Sequence, residues 1–289
     1  MTEPPLVLVV GLQKSGTSLL MRLLTGTRSF RNPVRFEGKE VWGDDPPFAP
    51  EAFPAGTFYQ REGGELGHEL GVTEATDEVR AHLTRYLADA ARPGKALVLK
   101  NPYNTVRVPW LRALLPGAVI VAVVRRPLPN VFSLVKKHVE NPHVHRGPEG
   151  GWWGVKPAGW RGLVNDDKVT QAAHQWAQVN GKLWVDRSDV DLLVPYHELC
   201  ADPGGFVARI GELAIGDPVT GEFPELEPLD DEHERGGPLE SANRVFKRTG
   251  SLDLAGAERD QAWLDPLSRR QRESVLEICE PVATSLGLE

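Results

Sequence analysis

The stretch Leu6-Val7-Leu8-Val9-Val10-Gly11-Leu12-Gln13-Lys14-Ser15-Gly16-Thr17-Ser18-Leu19-Leu20 decides the fold. Its first five residues are an unbroken run of Leu and Val, the pattern of a strand buried on both faces of a parallel sheet. A turn carrying Gly11 and Gly16 follows, and beyond it Leu19, Leu20, Leu23 and Leu24 recur at helical spacing. Backbone N–H groups of a glycine turn and of a helix N-terminus converge on an anion. A loop for nucleoside triphosphates would read GxxxxGK[ST], with lysine directly after the second glycine. Gly11 and Gly16 have that spacing, but Thr17 stands where the lysine belongs, and Lys14 lies inside the loop. The plain alternative is an ordinary strand–turn–helix with a solvated lysine.

Working outward, Ala96–Leu99 and Val119–Val124 read as two more buried strands and Leu192-Leu193-Val194 as a short one. Helices are expected between them. One has Val79, Leu83, Tyr86, Leu87 and Ala90 on its apolar face, is capped by Thr73 or Thr76 and ends at Pro93-Gly94. A second lies around Trp110–Leu115. A third starts at Pro127, where a missing N–H costs no hydrogen bond, and a fourth carries Ala173, Trp176, Val179, Asn180 and Leu183. The last helix shows Val275, Leu276, Cys279, Val282, Ala283 and Leu286. Residues 31–64 and 216–240 are Pro- and Gly-rich and read as loops, and 140–168 as an irregular Trp-rich segment.

Strands alternating with helices imply βαβ units, and hence an α/β fold in three layers, a parallel sheet flanked by helices. No stretch looks like a linker, so residues 1–289 are expected to form a single domain. Ligands of such sheets bind beyond the carboxyl ends of the strands, so the residues after Val10, Leu99 and Val124 carry the most weight.

After Val124 comes Arg125-Arg126-Pro127, with Ser133 eight residues beyond Arg125. An arginine fork and a hydroxyl suit a phosphate. A cation at a helix start opposes the helix dipole unless an anion is bound there, which weighs against a mere surface pair.

These two segments together resemble the sulfotransferases that use 3′-phosphoadenosine 5′-phosphosulfate (PAPS). The resemblance implies a P-loop-like fold and assigns Lys14, Ser15, Gly16, Thr17 and Ser18 to the 5′-phosphate and sulfuryl group, and Arg125 and Ser133 to the 3′-phosphate. It also implies the product adenosine 3′,5′-diphosphate, a small-molecule or glycan hydroxyl as acceptor, and no requirement for metal. Asn243-Arg244-Val245-Phe246-Lys247-Arg248-Thr249-Gly250 is similar to the family's basic loop over the 3′-phosphate and adenine, which makes Lys247, Arg248 and Gly250 cofactor candidates, with a solvated basic turn as the rival reading. The segment from Val194 to Pro203 resembles a family segment that serves as scaffold.

The proton of the acceptor hydroxyl needs a base. The small-molecule branch of the family places a histidine shortly after a lysine at the end of the strand preceding the 3′-phosphate segment. This chain reads Leu99-Lys100-Asn101-Pro102 there and so departs from that branch. It is closer to the glycan- and tyrosine-type branches, whose base is a glutamate after the first helix. The segment Glu37-Gly38-Lys39-Glu40-Val41-Trp42-Gly43-Asp44 is similar to theirs, which makes Glu40 the candidate base, Glu37 its rival and Lys100 a candidate contact to the substrate or the transition state. His138, His143, His145 and His174 flank the irregular segment, and imidazole is a common general base, but surface or packing roles are the better expectation for each. Trp152, Trp153 and Trp160 fit either an acceptor-binding lid over 140–168 or pins that hold a long loop to the core.

Composition bounds the rest. With 33 Lys+Arg against 40 Asp+Glu in 289 residues the net charge is −7, which speaks against a general nucleic-acid or membrane-surface binder. Two cysteines are too few for a disulfide framework, and Leu6–Val10 is too short for a signal or membrane segment, so a cytoplasmic protein with no stable membrane insertion is expected. The pairs Asp44-Asp45, Asp166-Asp167 and Asp230-Asp231 lack metal-ligand spacing. The Gly-, Pro-, Arg- and Ala-rich usage suggests a high-GC bacterial source. The competing readings are a P-loop kinase or NTPase with a degenerate loop and a non-catalytic nucleotide-binding protein. Against the first stand the displaced lysine and Arg125 in place of a strand-terminal aspartate.

Overall fold

A computed structural model of the chain describes residues 4–33, 41, 67–140, 151–220 and 267–288. Five strands form one parallel sheet: β1 (Leu6–Val10), β2 (Phe30–Arg31), β3 (Ala96–Lys100), β4 (Val119–Val124) and β5 (Leu192–Pro195), in the order β2-β3-β1-β4-β5. The helices are α1 (Thr17–Thr25), α2 (Asp77–Ala90), α3 (Val108–Leu114), α4 (Pro127–Glu140), α5 (Lys168–Val185), α6 (Tyr196–Ala201), α7 (Pro203–Ile215) and α8 (Arg269–Leu286).

The unbroken apolar run of β1 has the expected cause. Leu6, Leu8 and Val10 enter one core with Leu97, Leu99, Ile120 and Ala122, while Val7 and Val9 enter a second core on the opposite face. Residues from α2, α3, α4, α5 and α8 fill the first core, and α1, α6 and α7 fill the second. Both faces are therefore covered, the arrangement that parallel sheets require. Register brings Val9 beside Lys100 and Val121, and Val124 beside Pro195. The carboxyl ends of β1, β3, β4 and β5 thus lie along one edge, and the residues after each of them are neighbours in space.

Several local expectations hold and some shift. Thr76, not Thr73, caps α2, its hydroxyl accepting from the Val79 N–H at 3.4 Å. Helix α3 ends at Leu114 and starts two residues before Trp110. Phe30–Arg31 is a two-residue edge strand beginning just before the stretch read as loop, and α7 arises where no helix was expected. The Asp202 carboxylate caps it, accepting from the Gly205 N–H at 2.8 Å, and Pro203 occupies its first turn. In the described part of the Trp-rich segment Trp152 and Trp160 are buried with ring centroids 5.6 Å apart. The Gln175 amide on α5 donates to both Trp153 O (2.9 Å) and Val155 O (2.8 Å), fastening residues 153–155 to the protein body.

Candidate functional site

The loop after β1 is tightly specified. The Gly11 N–H donates to Thr105 Oγ1 at 2.7 Å, and Thr105 donates in turn to Pro102 O at 2.6 Å, which ties the loop to the turn that follows Lys100. A side chain on Gly11 would meet Val123 O at 2.4 Å. Gly16 has φ 109° and precedes Thr17, the first residue of α1. That helix has no side-chain cap and no acidic residue in its first turn. The first N–H groups of a helix have no partner within it and carry partial positive charge, so this end suits an anion. Lys14 has φ 68°, the one positive φ among the described non-glycine residues. Thr17 is buried, Ser18 is half-buried, and Ser15 Oγ is buried without a hydrogen-bond partner.

Arg125 and Arg126 part company at the end of β4. Arg126 is exposed and Arg125 is buried. The Arg125 guanidinium lies 4.5 Å from the Tyr196 ring centroid, Nη1 donates to Lys14 O at 3.2 Å, and the Arg125 carbonyl accepts from Trp176 Nε1 at 3.1 Å. The surface-pair alternative therefore fails for Arg125. Ser133 is half-buried two turns along α4, its hydroxyl donating to Pro129 O at 2.9 Å.

Tyr196 belongs to the segment whose resemblance implies a scaffold role, and its position says more. Its ring covers Gly16 so closely that a Cβ there would lie 2.4 Å from Cδ2, and it also stacks on Arg125. One aromatic side chain thus joins the glycine turn to the buried arginine. The available signal was positional: Tyr196 directly follows a strand, at the ligand-binding edge of the sheet.

Lys100 ends β3 and is buried. By strand alternation it leaves the sheet on the same face as Ala96 and Val98, the face that α1 covers. The following turn is capped by Asn101, whose Oδ1 accepts from the Tyr103 N–H at 2.9 Å.

His68, which sequence reasoning passed over, packs beside this turn with its ring edge-on to Tyr103 at 4.4 Å. Its Nδ1 accepts from the Lys156 N–H (2.9 Å), its own N–H donates to Lys156 O (2.8 Å) and its carbonyl accepts from Arg107 Nε (2.7 Å). Burial first, then the positive charges of Arg107 and Lys156, hold its pKa well below 6.5. With Nδ1 engaged as acceptor on a neutral ring, the proton resides on Nε2. His68 is thus a clasp between residues 67–68 and 156–157 rather than a base.

Glu37, Glu40, His143, His145, Lys247, Arg248 and Gly250 lie outside the described residues. Val41, next in sequence to Glu40, is buried in the larger core. His174 is half-buried on α5. Among the described residues no cluster of His, Cys, Asp and Glu could hold a metal ion, and no helix is long and apolar enough to cross a membrane.

A family model described as the sulfotransferase family matches residues 5–214, from β1 into α7. Among solved structures, a sulfotransferase from Alicyclobacillus acidocaldarius is 15% identical with a TM-score of 0.50, over 99% of this chain and 95% of that one. The sulfotransferase domain of the Synechococcus PCC 7002 olefin synthase is 16% identical with a TM-score of 0.49, over 98% and 96%. Sulfotransferase STF1 from Mycobacterium tuberculosis is 20% identical with a TM-score of 0.42, over 92% and 78%. No curated protein matches. The family match contains the glycine turn, Lys100, Arg125, Ser133 and Tyr196, and it spans most of the chain, so the protein belongs to the sulfotransferase family of enzymes.

Proposed function

We propose that this enzyme transfers the sulfuryl group of PAPS to a hydroxyl acceptor, in a single domain and by in-line displacement with a carboxylate base. One observation carries the reading. The glycine turn and Arg125, which the family resemblance assigns to two phosphates of one nucleotide, share the Tyr196 ring as a common wall, and Arg125 is bonded to the carbonyl of Lys14. The residues present fit a ligand with two separate anionic groups: a helix end with neither side-chain cap nor acid, and a buried guanidinium at the neighbouring strand end.

When bound, PAPS supplies an activated sulfuryl group on a phosphosulfate linkage. The N–H groups of the loop and of Thr17 and Ser18, with the hydroxyls of those two residues, hold the 5′-phosphate. Arg125 and Ser133 would hold the 3′-phosphate, with Lys247, Arg248 and Gly250 as further cofactor-binding residues. The ammonium groups of Lys14 and Lys100 balance negative charge on the transferred group, where fixed charges act most strongly because they need no reorganisation. Glu40 takes the acceptor proton. His68 is set aside for that role by its engaged Nδ1. The acceptor is a small molecule or glycan bearing a hydroxyl.

Turnover is measured by mass spectrometry of an acceptor panel incubated with PAPS. On the acceptor so found, Glu40→Gln lowers kcat by about 10²–10⁴-fold, the usual contribution of a positioned base, and leaves affinity for adenosine 3′,5′-diphosphate unchanged. Glu37→Gln and His138→Gln are run beside it. Retention of more than about a tenth of wild-type kcat by Glu40→Gln overturns the assignment and passes the role to whichever of the others loses more.

A further inference from the structure

The geometry points to Asn130 as a positioning residue that holds the phosphate loop in its anion-binding shape. The inference rests on the cofactor reading above and gives a role to a residue at an unspecified position between Arg125 and Ser133.

Lys14 occupies the left-handed region at φ 68°, which residues with a Cβ adopt only when their surroundings hold them there. The peptide groups on either side of it show what does so. Lys14 O accepts from Arg125 Nη1 at 3.2 Å, and Gln13 O accepts from Asn130 Nδ2 at 2.9 Å. Both flanking carbonyls are therefore drawn to the start of α4. A trans peptide keeps its C=O and N–H antiparallel. Fixing Gln13 O on Asn130 fixes the direction of the Lys14 N–H, one of the donors that a left-handed residue in such a loop turns towards an anion.

The environment of Asn130 supports a dedicated role. It is fully buried between Pro129 and Val131, where an apolar residue would pack at lower cost, and its Oδ1 has no hydrogen-bond partner. A buried carboxamide that uses its donor and leaves its acceptor empty costs more than it returns in stability alone. The side chain of Gln13 is likewise buried and lies against Gly154. Gln13 is thus held at its backbone by α4 and at its side chain by the segment fastened to α5, and Lys14 follows from it. Arg125 has a second duty towards the 3′-phosphate, whereas Asn130 acts only through the loop.

The test compares adenosine 3′,5′-diphosphate with adenosine 3′-monophosphate by calorimetry on wild type, Asn130→Asp and Asn130→Ala. Asp keeps the shape but sets an acceptor against Gln13 O, and Ala removes the group. The expected result at pH 8 is a loss of about tenfold or more for the diphosphate in both variants, the scale of one buried hydrogen bond, with the 3′-monophosphate changed less than about twofold. In Asn130→Asp alone the loss is regained as pH falls towards about 6, because a buried carboxyl takes up a proton readily and recovers a donor. Should the Asp variant fail to fold, the Ala variant carries the same comparison of nucleotides. Equal losses for the two nucleotides, or no loss for either, overturn the inference and leave Asn130 a packing residue. If wild type binds neither nucleotide, the cofactor reading itself is overturned, an outcome distinct from failure of the Asn130 assignment.

Discussion

Gly16→Ala tests the wall between the two anion sites with one methyl group. The new Cβ would lie 2.4 Å from Cδ2 and 2.8 Å from Cε2 of Tyr196, where carbon atoms at rest stand about 3.5–4.0 Å apart. The ring must therefore retreat by roughly 1 Å or more, and Arg125, stacked on it at 4.5 Å, loses its seat. Two costs add. Alanine at φ 109° is strained by about 1–3 kcal/mol, and the overlap costs about 1–3 kcal/mol more. At about 2–4 °C per kcal/mol for a domain of this size, the melting temperature falls by roughly 10 °C. Thermal denaturation reads the stability, and calorimetry with adenosine 3′,5′-diphosphate reads the site, whose affinity falls as well. The decisive control is a double-mutant cycle with Tyr196→Ala. Removing the ring abolishes the overlap but not the strain, so the double variant should be more stable than the sum of the single changes by about 1–3 kcal/mol. Additivity within about 0.5 kcal/mol would show that the ring and the glycine do not meet as described, and the shared wall would fall with it.

Arg125→Ala should weaken binding of adenosine 3′,5′-diphosphate about tenfold or more beyond any effect on adenosine 5′-monophosphate, since a charge-assisted contact is worth about 1.5–3 kcal/mol; equal losses in calorimetry would make Arg125 purely structural. For His68 the sign follows from its lowered pKa: below pH 6.5 the unfolded chain takes up a proton that the folded protein refuses, so stability drops as pH falls through that value, by at most about 1.4 kcal/mol per pH unit for one group. Urea titrations across that range should show the slope in wild type and a flatter one in His68→Asn, and identical slopes would refute the clasp. The Cys279 thiol, pushed up to about 12 by burial and donating to Ala173 O at 3.5 Å, should resist alkylation at pH 8 in the native protein, as should the buried Cys200, with both labelled after unfolding; rapid native labelling of Cys279 would contradict its place in the core.

What was legible in sequence follows from how local its cause is. Strand β1 could be read because burial on both faces writes a continuous apolar run, and the glycine turn because its residues are adjacent in the chain. The start of α2 could be read because Thr76 caps it within three residues. Strand β2 could not, since two residues leave no period, and its pairing with β3 comes from far along the chain. Helix α7 carries Gly204 and Gly205 in its first turn, residues of poor helical propensity that mask the Asp202 cap. The wall of the site was the least legible part. Tyr196 meets Gly16 and Arg125 only because β5 pairs with β4, and the clasp at His68 joins residues 88 apart. Spacing rules do not reach contacts of that kind. They name the donors of a phosphate site and remain silent on the residues that hold those donors in place.

The nucleotide preference of the site separates a sulfuryl-donor site from a triphosphate site. Calorimetry of the wild-type protein should show that adenosine 3′,5′-diphosphate binds in the presence of a chelator, more tightly than adenosine 5′-monophosphate and more tightly than ATP with Mg²⁺. Preference for ATP with Mg²⁺, or no discrimination in favour of the 3′-phosphate, would contradict the assignment of Arg125 and the glycine turn to a sulfuryl-donor site.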